Sequence, residues 1–89
     1  MKAVITVIGQ DTVGIIYRVS GICASHQINI LDITQSVMQE IFTMTMLVDI
    51  TKMDISFTEL VDRMNNLGKD MNLEIRTMHE DIFNSMHKI

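Results

Sequence analysis

Proline and tryptophan are absent from this chain, and cysteine occurs once. A lone thiol, Cys23, has no second cysteine for an intramolecular disulfide or for a CxxC metal or redox site. It falls on the apolar side of a predicted helix and reads as a buried core thiol rather than a reactive nucleophile. Seven basic residues face eleven acidic ones, a net charge of −4, and no run of Lys or Arg occurs. That balance speaks against electrostatic binding to nucleic acid or to an anionic membrane. No apolar run approaches the length of a membrane span. The apolar start is short and broken by Thr6 and Gly9, so it does not read as a signal peptide, and the cytoplasm is the expected compartment.

What the chain does have is apolar surface. Apolar residues make up 47% of 89, nine of them methionine, so one small domain must bury an adaptable core. A domain of this size buries only about 60 to 65% of its unfolded surface, so part of the apolar excess is expected in an oligomer interface.

The chain is organised around Gly9-Gln10-Asp11-Thr12-Val13-Gly14-Ile15, between an apolar strand and an amphipathic helix. The β-branched run Lys2 to Ile8 predicts a central strand, about Ala3 to Ile8, apolar on both faces and covered on both sides. Gly9 permits the reversal, and Asp11 or Thr12 would cap a helix beginning at Val13 or Gly14. Gly14 costs about 1 kcal/mol in a helix interior, so it suggests a close backbone approach there. Ile15, Ile16, Val19, Ile22 and Cys23 share one face of this helix, which ends near Ser25.

A turn at His26-Gln27 leads to a second strand, about Ile28 to Met38, with Asp32, Thr34 and Ser36 on one side. Gln39-Glu40 reads as a tight hairpin turn. In the third strand, Ile41 to Asp49, Phe42, Met44, Met46 and Val48 alternate with Thr43, Thr45, Leu47 and Asp49. Ser56-Phe57-Thr58-Glu59 is a capping-box pattern opening a second helix, expected to end near Gly68 to Asp70. Leu73, Ile75 and Thr77 then alternate as strand four. The order predicts an α+β, ferredoxin-like βαββαβ fold: an antiparallel four-stranded sheet with two helices on one face. Residues 1–79 form the domain. Residues 80–89 form a short helical tail whose stripe of Ile82, Met86 and Ile89 packs on the sheet or on a partner subunit.

Chemistry-bearing residues are sparse. His26, His79 and His87 show no metal-ligand spacing and read as ordinary surface or edge histidines, and no cofactor or metal is expected. No serine has a histidine at a spacing that suggests a nucleophile and its base. An RNA-recognition reading lacks exposed aromatics on the central strands. Gly14-Ile15-Ile16-Tyr17-Arg18 is similar to part of the acylphosphatase loop motif, in which a Gly-rich turn and an Arg bind phosphate, but there is no counterpart of that family's Gly-Trp-Val-x-Asn segment.

A resemblance spanning nearly the whole chain rests on Asp11-Thr12-Val13-Gly14-Ile15, then Arg18-Val19-Ser20, then Asn29-Ile30 and a strand carrying Asp32 and Gln35. It looks like an ACT domain, where Asp-x-Pro-Gly-Ile opens helix one and Asn-Ile opens strand two. Val13 departs from that pattern, standing where many members have Pro. The single-domain length and tail resemble the small stand-alone ACT proteins of bacteria and, similarly, the N-terminal part of the glycine cleavage system repressor. The resemblance implies a non-enzymatic regulatory module that binds an amino acid or similar effector at a homodimer interface and acts on a separate protein partner. Carried over by position, it nominates Gln10, Asp11, Thr12, Val13 and Gly14, with Asn29 and Asp32, as ligand-binding residues. A pure protein-interaction module without a small ligand is the alternative, and an acylphosphatase-like hydrolase a more distant one.

Overall fold

The computed structural model describes residues 1–86. The elements follow in the order β1 (Lys2–Gln10), α1 (Ile15–Ser25), β2 (Asn29–Met38), β3 (Ile41–Asp49), α2 (Phe57–Met71), β4 (Leu73–His79) and α3 (Glu80–Met86). The strands form one sheet in the order β2-β3-β1-β4, and all three pairings are antiparallel. This is the ferredoxin-like arrangement that the element order implies. The predicted tail residues His87, Lys88 and Ile89 lie outside the described residues.

The core lies between one sheet face and the two long helices. Ala3, Ile5 and Val7 of β1 and Phe42, Met44, Met46 and Val48 of β3 are buried there against Ile15, Val19 and Cys23 of α1 and Leu60, Met64 and Leu67 of α2. The strict alternation of β3 therefore maps onto one covered and one open face. β1 is central, but its second face is covered at one end only. Val4 is buried near the end that α3 contacts, whereas Ile8, toward the other end, is 49% exposed.

The second helix starts as its capping pattern predicts, with Ser56 Oγ accepting the Glu59 N–H at 3.1 Å. It runs past Gly68 to Met71, where Asn72 takes a left-handed conformation and its N–H donates to the Gly68 carbonyl. Gly68 does not end the helix because its function is spatial. A Cβ there would lie 2.6 Å from the Leu73 carbonyl oxygen. The hairpin turn at Gln39-Glu40 is present, with Gln39 at φ 58°.

Two other expectations are corrected. Helix α1 begins at Ile15, and no side chain caps it, so neither Asp11 nor Thr12 performs that function. Ile16 points away from the core and is 40% exposed. In α3, Phe83 is half-buried, and Ile82 and Met86 are exposed on the single chain.

Candidate functional site

The β1–α1 connection is held from below by a glycine and shaped at its far end by another. At Gly9 a Cβ would meet the Leu73 side chain at 2.6 Å and the Asn72 carbonyl at 3.2 Å. The close approach expected at Gly14 therefore occurs at Gly9, inside the strand, where the chain stays extended rather than reversing. Gly14 has open space around it and is glycine for a different reason: its φ is +92°, which L side chains rarely adopt. The Gly14 carbonyl accepts the Arg18 N–H at 2.9 Å, which closes the first helical turn.

Between the two glycines, the Asp11 N–H donates to the Glu40 carbonyl at 2.8 Å and ties the loop to the β2–β3 turn. The side chains of Gln10, Asp11, Thr12 and Val13 are left exposed, Val13 almost wholly. With no side-chain cap on α1, the loop presents backbone N–H donors at a helix start beside an unconstrained carboxylate. A cavity of about 300 Å³ opens there, bounded by Gln10, Asp11 and Thr12 on one side and by Met71 and Asn72 on the other. The last two were not anticipated. Asn72 carried a readable signal, since Asn directly after a helical run favours the left-handed C-terminal position.

Asn29 and Asp32 lie elsewhere. The register pairs Gln10 with Ile41 at one end of β3, and Asn29 with Asp49 at the other. At about 3.4 Å per residue, this sets Asn29 roughly 27 Å, and Asp32, opposite Leu47, roughly 20 Å from Gln10 along the sheet. Asp32 follows the β-bulge at Leu31 and pairs with Leu47 on the open face of the edge strand. One chain therefore gathers Gln10 to Gly14 into a single loop but leaves Asn29 and Asp32 at the opposite end. Beside Asn29, the Asp49 carboxylate accepts Thr51 Oγ1–H at 2.6 Å and Thr51 N–H at 2.9 Å, with the Met1 ammonium at 3.9 Å. The Thr51 hydrogen bonds, then the positive charges of Met1 and Lys2, hold its pKa below 3.8.

The remaining candidates have structural partners. Arg18, compared above with a phosphate-binding arginine, reaches across to Asp70 of α2 at 2.7 Å. His79 lies on the edge strand β4, and both His26 and His79 are partly buried. His26 Nδ1 lies 2.9 Å from Asp54 Oδ1, and His79 stacks on Phe57 with ring centroids 3.9 Å apart. Cys23 is fully buried, and burial pushes its thiol up to about 11. Among the described residues, no three His, Cys, Asp or Glu side chains are grouped to hold a metal, and no helix is long and apolar enough to cross a membrane.

With this geometry in view, comparison with known proteins is decisive for the family. The ACT domain family model matches residues 2–78. The chain belongs to the ACT domain family. ACT domains are regulatory rather than catalytic modules and typically bind small molecules. A UPF0237 protein of Clostridium acetobutylicum is 49% identical over 89 residues, all of both chains. A UPF0237 protein of the archaeon Methanopyrus kandleri is 38% identical over 99% of this chain and 98% of its own, so ACT proteins of this kind are not confined to bacteria. Among solved structures, an ACT domain protein from Streptococcus pneumoniae is 40% identical, covers 93% of each chain and superposes with a TM-score of 0.80. A crystal structure assigned to a glycine cleavage system transcriptional repressor is 25% identical, with a TM-score of 0.69 over 85% of this chain and 43% of that one.

Proposed function

We propose that this ACT domain is a regulatory sensor of an amino acid or similar small effector, which it binds between two copies of the chain. One observation carries the reading: the sheet register places the Gln10–Gly14 loop and the pair Asn29 and Asp32 at opposite ends of the molecule. A two-fold axis beside the edge strand β2 would set two copies antiparallel. The loop of one copy would then face Asn29 and Asp32 of the other. Strand β2 suits such pairing. Among the described residues one of its edges has no partner strand, and Leu31, Ile33 and Val37 along it are exposed, as is Ile16 on the neighbouring flank of α1.

The chemistry of the loop supports an amino acid-like ligand. Uncapped N–H groups at the start of α1 would hold a carboxylate, and Asp11, or Asp32 from the second copy, would pair with an ammonium group. Binding would stabilise one arrangement of the dimer and so alter its contact with a separate protein partner. A cytoplasmic setting fits such a metabolite sensor.

The test is thermal unfolding against the twenty amino acids, followed by complementation. A ligand at 100 times its Kd adds about 2.7 kcal/mol, a shift of many degrees in so small a domain. Asp11→Ala and Asn29→Ala should each abolish the shift. Mixing the two variants should restore roughly one site in four, because half of the randomly paired dimers then contain one intact site. Ile33→Lys should yield monomers without the response. If no compound shifts the midpoint, if either single variant still responds, or if the mixture stays as silent as its two components, the reading fails and a protein-only interaction module replaces it.

A further inference from the structure

The outer surface of the helix layer carries a second concavity, a groove of about 730 Å³ between α1 and α2. Its lining is unusual for a chain of net charge −4. Two of the three arginines, Arg18 and Arg63, line it with His26; among the described residues Asp70 is the carboxylate of the lining, and Glu59 and Asp54 pair with Arg63 and His26 from outside it. Ile22 and Leu67 supply an apolar wall. The groove stays open at Gly21, where a Cβ would meet nothing within 4 Å.

The two guanidinium groups are held in place with donors to spare. Arg18 spends Nη1 on Asp70 at 2.7 Å, which leaves Nε and Nη2. Arg63 spends Nε and Nη2 on Glu59, one turn earlier, and keeps Nη1. Both pairs are about half exposed or more, so each can be shared with an incoming anion at little cost. His26 is fixed twice, by Nδ1 against Asp54 Oδ1 at 2.9 Å and by its carbonyl accepting the Asp54 N–H at 3.2 Å.

We propose that this groove binds a small organic anion, a carboxylate or phosphate on an apolar body, with the head group between Arg18 and Arg63 and the body against Ile22 and Leu67. The volume lies within the ordinary range for small-molecule sites, and paired guanidinium forks are suited to such head groups. The site is independent of the β1–α1 loop. At 100° per residue, Arg18, Gly21 and Ser25 lie on the flank of α1 opposite Ile16, so a dimer formed along β2 leaves the groove open.

Phenyl phosphate, benzoate and inorganic phosphate are the probes, followed by NMR. Either phenyl phosphate or benzoate should cause saturable shifts in the Gly21, Ser25 and Asn66 amides and in the Nε–H of Arg18 and Arg63. Whichever saturates identifies the head group. Inorganic phosphate should bind about tenfold more weakly than phenyl phosphate if the apolar wall is used. Arg63→Gln should weaken binding about tenfold with unchanged melting, and Gly21→Leu should block it, while Arg76→Gln, which removes the same charge elsewhere, should leave it intact. The Asp11 amide should not move. Shifts that stay linear with concentration, that are equal at Arg76, or that survive both Arg63→Gln and Gly21→Leu overturn the proposal.

Discussion

Gly68, in the last turn of α2, lies so close to Leu73 of β4 that a Cβ on the glycine would sit 2.6 Å from the leucine carbonyl oxygen. The obstacle is backbone within a paired strand, so it cannot swing aside as a flexible side chain would. Gly68→Ala therefore should destabilise the fold by about 1 to 2 kcal/mol, even though alanine is the better helix former by about 1 kcal/mol. Urea denaturation gives the sign directly.

Two other glycines should respond differently. Gly21→Ala adds a Cβ into open space in the interior of α1 and should stabilise by about 0.5 to 1 kcal/mol. Gly14→Ala also meets no atom, but it forces an L side chain into φ +92° and should cost about 1 to 2 kcal/mol. A stability series in which all three variants behave alike would refute these separate causes.

Ser56→Ala removes the acceptor of the Glu59 N–H at the start of α2. The expected loss is about 1 kcal/mol, with Ser56→Asp close to wild type. Amide exchange should locate the effect in the first turn of that helix.

Cys23 should resist thiol reagents in the native state and react at once in denaturant, because its thiol is buried and its pKa is raised from 9.0 to about 11. The folded state then holds the proton more tightly than the unfolded state. The contribution is complete below pH 9.0 and is lost as the pH rises toward about 11. Cys23→Ala should show a shallower alkaline decline in stability than the parent chain.

Asp49 works in the opposite direction. Its carboxyl, held below 3.8 chiefly by the two Thr51 hydrogen bonds, contributes stability above that pH and loses it as the pH falls through the folded value. Carboxyl NMR should place its midpoint below 3.8, and Thr51→Val should move it back toward 3.8.

The elements themselves were legible along the chain. Alternation from Phe42 to Val48, the Ser56 cap and the Gln39-Glu40 turn each arise within a few residues, and the ACT resemblance of Asp11 to Ile15 and Asn29-Ile30 lies in short motifs. What tertiary structure decided depends on atoms distant in sequence. Gly9 and Gly68 are glycines because the start of β4 comes against them, and Gly14 is glycine because an uncapped helix begins from a left-handed residue. The partners of Arg18 and His26, Asp70 and Asp54, come from other elements. Above all, sheet register set Gln10 to Gly14 apart from Asn29 and Asp32. Which side chains each strand and helix presents follows from the order of residues alone, because side-chain period is a local property of the backbone. Where those side chains end up relative to one another was decided by strand pairing, which no local stretch of the chain encodes.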